Sequence, residues 1–148
     1  MKGIVIFAVL LICVALVVSL VVSCETTGKK ITDEVFDNIY DKYRNGIILD
    51  GAEKYTVEKG DRLVDIAKSF YGNGYYYPVI MLASSDVVLD PDKIQPGMVL
   101  TIPNLQKNMK DAKAHASIKG ILLDCSSIED RRGRIETARG LKDIAARP

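Results

Sequence analysis

Residues 55–103 read YTVEKGDRLVDIAKSFYGNGYYYPVIMLASSDVVLDPDKIQPGMVLTIP, and the apolar spacing within that stretch predicts two short strands enclosing two helices. Lys54 to Val57 alternates, with Tyr55 and Val57 on one face, and Glu58, Lys59 and Gly60 end the run in a tight turn. Asp61 stands where an N-cap is needed. From Arg62 to Tyr71, residues Leu63, Ile66, Ala67 and Phe70 recur at i, i+3, i+4 and i+7, which makes one buried helical stripe. Gly72, Asn73 and Gly74 stop that helix. A second helix, roughly Tyr76 to Ser84, is apolar almost all round at Val79, Ile80, Met81, Leu82 and Ala83, so it is the more buried of the pair. Pro91, Pro96 and Gly97 break the next segment, and Val99 to Ile102 alternates as a closing strand. A βααβ unit of about fifty residues lies near the lower size limit for a core without disulfides or metal. Its few large apolar side chains must therefore all serve the core.

Working outward, these residues carry a family pattern. Over Tyr55, Val57, Gly60, Asp61, Leu63, Ile66 and Ala67, and then Tyr71, Gly72, Asn73, Ile94, Pro96, Gly97, Leu100, Ile102 and Pro103, the chain resembles a single LysM domain. The YGNG turn and the DPDKIQPG segment look most like a bacterial long-loop form. The resemblance implies a fold and a function. It implies a shallow groove for N-acetylglucosamine-containing glycans such as peptidoglycan, with Gly60, Asp61, Arg62 and Leu63 on one side and Asp92, Ile94 and Gln95 on the other. An acetamido group needs a donor, an acceptor and a small apolar contact, which loop backbone beside Leu63 or Ile94 can supply. Gly60 lets the backbone approach closely. Three positions depart from the pattern: Arg62 stands for a small hydroxyl residue, Val64 for an aromatic or serine, and Ser84 for an asparagine. An Arg62 side chain folded over the groove onto Asp92 would block the sugar site. Without the resemblance, Gly60 and Asp61 read as a turn and a helix cap.

The N-terminus addresses the chain to a membrane. Lys2 precedes an uncharged apolar run from Gly3 to Val22, followed by Ser23 and Cys24, the order of a secretory signal. Val21 to Cys24 resembles a bacterial lipobox, which implies a lipoprotein-type signal peptide at 1–23, cleavage before Cys24 and lipidation of Cys24. The alternative is an uncleaved helical anchor, since about twenty apolar residues suffice to span. Both readings place the body in the cell envelope, facing periplasm or exterior. Residues 24–30 form a polar tether that reaches at most roughly 25 Å.

Two helical regions flank the module. In 31–46, Thr32 is placed to cap a helix with Asp33 and Glu34 in its first turn, and Val35, Phe36, Ile39, Tyr40 and Tyr43 form its apolar stripe. That stripe is expected to pack on the C-terminal region. In 105–148, Ala114, Ile118, Ile121, Leu122 and Cys125 share one face, and Ser126 with Glu129 reads as a capping box opening a second helix carrying Ile128, Ile135, Ala138, Leu141 and Ala145. The pattern predicts an antiparallel hairpin, with Gly133 and Gly140 on one side for close contact. Arg131, Arg132, Arg134 and Arg139 alternate with Glu129, Asp130 and Glu136, so the face reads either as a salt-bridged surface or as a patch for anionic polymers or lipids.

Charge excludes a nucleic-acid field. The chain has 20 basic and 19 acidic residues, and removal of Lys2 with a signal leaves it formally neutral. Catalysis finds no motif: His115 is the only histidine, there is no CxxC, and no cofactor or metal set is expected. With Cys13 in the apolar run and Cys24 assigned to lipid, Cys125 is either a small buried hydrophobe or an intermolecular cross-link. The expected fold class is α+β, a βααβ module at 53–104 between an N-terminal helix and a C-terminal helical hairpin. The expected function is a non-catalytic, membrane-anchored glycan-binding lipoprotein. Its alternative is a scaffold, with an envelope protein as partner, whose module has lost sugar binding.

Overall fold

The computed structural model describes residues 35–36 and 38–148. The expected signal segment 1–23, the expected lipidation at Cys24 with its tether and the expected Thr32 cap lie outside the described residues. Phe36–Pro148 is one unit.

A two-stranded antiparallel sheet pairs β1 (Glu53–Thr56) with β2 (Val99–Ile102), Glu53 opposite Ile102 and Thr56 opposite Val99. Pairing continues past the strand ends through Val57 N–H to Met98 O at 2.8 Å and Gly97 N–H to Val57 O at 2.9 Å. Between the strands lie α2 (Leu63–Tyr71) and α3 (Tyr77–Ala83), joined by a 3-10 turn at Gly74–Tyr76. Helical residues 38–43, α1, precede the sheet. After it come α4 (Leu105–Lys110), α5 (Ala112–Arg131) and α6 (Ile135–Ala145). This is the expected α+β arrangement. Among the described residues no helix is long and apolar enough to cross a membrane.

The apolar pattern explains most of the core. Every residue of α3 from Tyr77 to Leu82 is buried, as a helix apolar on all faces must be. Leu63, Ile66 and Ala67 are buried, but Phe70 at the end of the same stripe is 39% exposed, its ring edge-on to Tyr55. Ser84, buried at the end of α3, accepts a hydrogen bond from Thr101 N–H at 2.8 Å, so its hydroxyl ties that helix to β2.

Two local expectations fail for the same reason, a polar side chain finding a better partner. Asp61 does not cap α2, whose N-cap is Arg62 without a side-chain bond; Asp61 instead accepts from Glu58 N–H and Tyr55 O–H, both at 2.8 Å, and closes the turn. Ser126 and Glu129 form no capping box, because α5 runs unbroken through them to Arg131. The Ser126 hydroxyl donates across the hairpin to Ala138 O at 2.8 Å, and the real break is Gly133, whose φ of +76° suits a residue without a Cβ. Ile135, just after that break, is 50% exposed, while Ile144 takes a core position in its helix. Ahead of the hairpin, α4 and α5 are separately capped by Asn104 and Asp111.

The flanking helices pack on the module and on each other. Phe36, Ile39 and Tyr40 are buried, and Tyr40 O–H donates to Val88 O at 2.6 Å. Tyr43 donates to Asp124 at 2.9 Å, with its ring over Gly120, where a Cβ would sit 2.4 Å from a ring carbon. Gly140 likewise abuts Tyr75 of the module. Cys125 is a buried free thiol, and burial pushes its pKa up.

Candidate functional site

The segment after β1 and the segment before β2 face each other across a cleft of about 300 Å³. Asp61, Arg62 and Leu63 line one side, with Val64 beside them; Pro91, Asp92 and Ile94 line the other. Gly60 and Gln95, expected at the same site, do not line it. Gly60 shapes the approach instead, with φ at +97° in the turn that Asp61 closes. A 3-10 turn at Pro91–Lys93, capped by the Asp90 carboxylate on Asp92 N–H at 3.0 Å, presents Asp92.

Arg62 does not cross the cleft to Asp92. It turns back along its own helix to Asp65, Nε to Oδ2 at 2.7 Å and Nη2 to Oδ1 at 3.2 Å. Both groups are exposed, so solvent screens the pair and it adds little to stability. Its consequence is steric: the side of the cleft that Arg62 lines stays open.

Asp92 is claimed from elsewhere. Arg134 holds both its carboxylate oxygens, Arg132 donates to Asp92 at 3.1 Å, and Arg132 also reaches the buried Asp90 at 3.4 Å. Glu129, 2% exposed, completes the group, with Oε1 3.5 Å from Arg132 and Oε2 3.0 Å from Arg134 Nε. Arg132 also stacks 5.3 Å from the centroid of Phe36. Of the four arginines read as a salt-bridged surface or an anion patch, Arg139 pairs on its own helix with Glu136 at 3.1 Å, while Arg132 and Arg134 join the hairpin to the module's loop. Neither expectation described that second role.

The hydrogen bonds from Arg134 hold the Asp92 carboxyl below its usual range. Burial holds Glu129 above the usual carboxylate range, with Arg134 and Arg132 opposing it. Native Glu129 therefore keeps its proton more tightly than the unfolded chain does, so its contribution to stability falls as pH rises from the ordinary glutamate range through the raised value. Denaturation of the wild type and of Glu129→Gln between about pH 4 and 7 should show the wild type losing ground to the variant as pH rises. A difference that moves the other way would show that the arginines outweigh burial.

The hairpin also enters the cleft directly. Glu129, Arg134 and Thr137 line it together with Tyr75 and Tyr77 of the module. Tyr77 is buried, which pushes its phenol up, and Tyr75 is seated against Gly140. The GYYYP run was a visible aromatic signal beside a turn. The hairpin residues had none, because their place depends on how α6 meets the module. Among the described residues no group of three His, Cys, Asp or Glu is placed to hold a metal ion.

A family model for the LysM domain matches residues 55–103, the stretch from β1 to the end of β2. A potassium binding protein, Kbp, of Escherichia coli O6:H1 is 38% identical over 66 residues, which take in 45% of this chain and 44% of that protein. The chain thus spans less than half the length of the curated relative it matches.

Proposed function

Because residues 55–103 form a LysM domain, we propose that this chain is a non-catalytic binding protein of the cell envelope, anchored through lipid on Cys24, that holds an N-acetylglucosamine-containing glycan such as peptidoglycan. The observation that carries the reading is the cleft itself: Leu63 and Ile94 offer apolar contact from opposite sides, and Arg62 turns away to Asp65. An acetamido methyl suits the apolar lining. Loop backbone and the polar side chains beside it supply hydrogen-bonding groups, as small-ligand sites require. Lipid on Cys24 would keep this cleft close to a bilayer, since the tether reaches at most roughly 25 Å.

A second reading, a scaffold that no longer binds sugar, is favoured by the capture of Asp92 by Arg134 and Arg132. The acidic cluster of Asp90, Asp92 and Glu129 is paired with the guanidinium groups of Arg132 and Arg134, which leaves it poorly suited to a cation such as the potassium of the relative's name.

Retention on purified peptidoglycan separates the two readings. The detergent-solubilised full chain is expected to be retained, and Ile94→Trp, which fills the cleft from a half-buried position, is expected to lose retention while its thermal melt is unchanged. Equal recovery of both proteins in the flow-through would establish the scaffold reading. For the anchor, mass spectrometry of the membrane-extracted protein should find a chain beginning at Cys24 with added acyl mass; an intact unmodified Met1 would sink it.

A further inference from the structure

Resting on the glycan reading, we propose that the α5–α6 hairpin is a third wall of the sugar site, where Thr137 and Glu129 read the acetamido group, and that the cleft takes a short, uncharged N-acetylated saccharide segment.

Three observations lead there. Thr137 lines the cleft half-buried, and its hydroxyl has no hydrogen-bond partner among the described residues. Glu129 lines it too, and its buried Oε2 accepts no properly directed hydrogen bond although Arg134 Nε lies 3.0 Å away. A buried acceptor left in that state is costly, and a donor from a ligand would satisfy it. An acetamido group brings one N–H and one C=O, which match a carboxylate acceptor and a hydroxyl donor. Arg134, 41% exposed and stretched between Asp92 and Glu129, is the movable piece that would admit the ligand N–H.

Charge narrows the ligand class. Each charged group on the cleft already has an internal partner: Arg62 has Asp65, Arg134 has Asp92 and Glu129, and Asp61 accepts from Tyr55. No guanidinium is left over for a sugar carboxylate or a phosphate, so a neutral saccharide fits best. Size narrows it further. About 300 Å³ is the bottom of the range for small-ligand sites, roughly 300–1,000 Å³. A groove between two loops alone would stay open along a polymer, whereas a third wall limits how much chain it can hold.

The test is calorimetric titration of the detergent-solubilised full chain with N-acetylglucosamine oligomers of two, four and six units. Affinity should level off by the tetramer, and the de-N-acetylated oligomers should bind at least tenfold more weakly. Thr137→Val should lower affinity roughly three- to tenfold, the worth of one neutral hydrogen bond, and Thr137→Arg more than tenfold, both with unchanged melting temperature. Wild-type affinity in both Thr137 variants, with loss only in Ile94→Trp, would show a site made by the two module loops alone and overturn the third wall. Affinity still climbing from tetramer to hexamer would overturn the short-segment limit. No binding of any oligomer by the wild type would remove the glycan reading itself, and this inference with it.

Discussion

Gly140→Ala is expected to destabilise the protein by about 1–2 kcal/mol, against the direction that helix propensity alone gives. Gly140 lies inside α6, where alanine is ordinarily better by roughly 1 kcal/mol. A Cβ there would meet three atoms of the Tyr75 ring at 2.2–2.5 Å, well inside any tolerated contact. Overpacking of this kind costs about 1–3 kcal/mol, and because Asn73 holds the backbone of the turn by accepting from Tyr75 N–H at 2.9 Å, relief must come from rotating the ring out of its contact with α6. The clash therefore exceeds the propensity gain. The control is Tyr75→Ala, in which Gly140→Ala should become neutral or mildly stabilising. Urea denaturation of the four proteins in this cycle gives the coupling directly. If Gly140→Ala stabilises the otherwise unchanged chain, the ring is free to move and the hairpin is not locked to the module at this point. Because Tyr75 also lines the cleft, the same substitution should weaken glycan retention.

The contrast between Gly140 and Ala67 shows what the sequence could reveal. Ala67 belongs to a stripe with Leu63 and Ile66, and the period of 3.6 names its buried face from local spacing alone. The wholly apolar α3 and the alternation of Val99 to Ile102 were legible in the same way, being written within a few residues. Gly140 shows only that a close approach is permitted; that the approaching group is Tyr75, 65 positions earlier, follows from packing. The candidate site divides along the same line. Asp61, Arg62, Leu63, Asp92 and Ile94 line one cleft, and each belongs to a loop whose family pattern could be read. Glu129, Arg134 and Thr137 reach that cleft from a helical hairpin beyond the module, where a regular run of alternating charges looks the same whether it faces water or a neighbour. Ser126 and Glu129 mislead for a related reason: serine followed three residues later by glutamate suits a helix start, but the same spacing occurs inside any helix. Gly133 was the stronger stop signal, since a left-handed residue ends a helix whatever precedes it.

Asn108→Ala should cost about 3 kcal/mol, a large effect for removing one small polar side chain. Asn108 is fully buried in α4 and uses its amide completely: Oδ1 accepts from Ile48 N–H at 2.7 Å, and Nδ2 donates to Ile48 O at 2.9 Å and to Asn104 O at 3.0 Å. It thus mimics one strand partner for Ile48, which lies between α1 and β1 and belongs to no regular element. Truncation leaves both backbone groups of Ile48 without a partner, at about 1–3 kcal/mol for each group that water cannot reach. Leucine at 108 would fill the volume and leave the same two groups orphaned, so it should rescue little. Aspartate separates hydrogen bonding from shape. It keeps an acceptor for Ile48 N–H but sets a second oxygen against the carbonyls of Ile48 and Asn104, so at neutral pH it should be worse than alanine. Protonation restores one donor, so that variant should recover relative to alanine as pH falls. Hydrogen exchange reads the mechanism at one site, because the Ile48 amide should lose protection in the alanine and leucine variants, whereas aspartate keeps an acceptor for it. A cost below about 0.5 kcal/mol for Asn108→Ala, with the Ile48 amide still protected, would mean that water replaces the side chain and that α1 is held to the hairpin by Tyr43 and Lys42 on Asp124 instead.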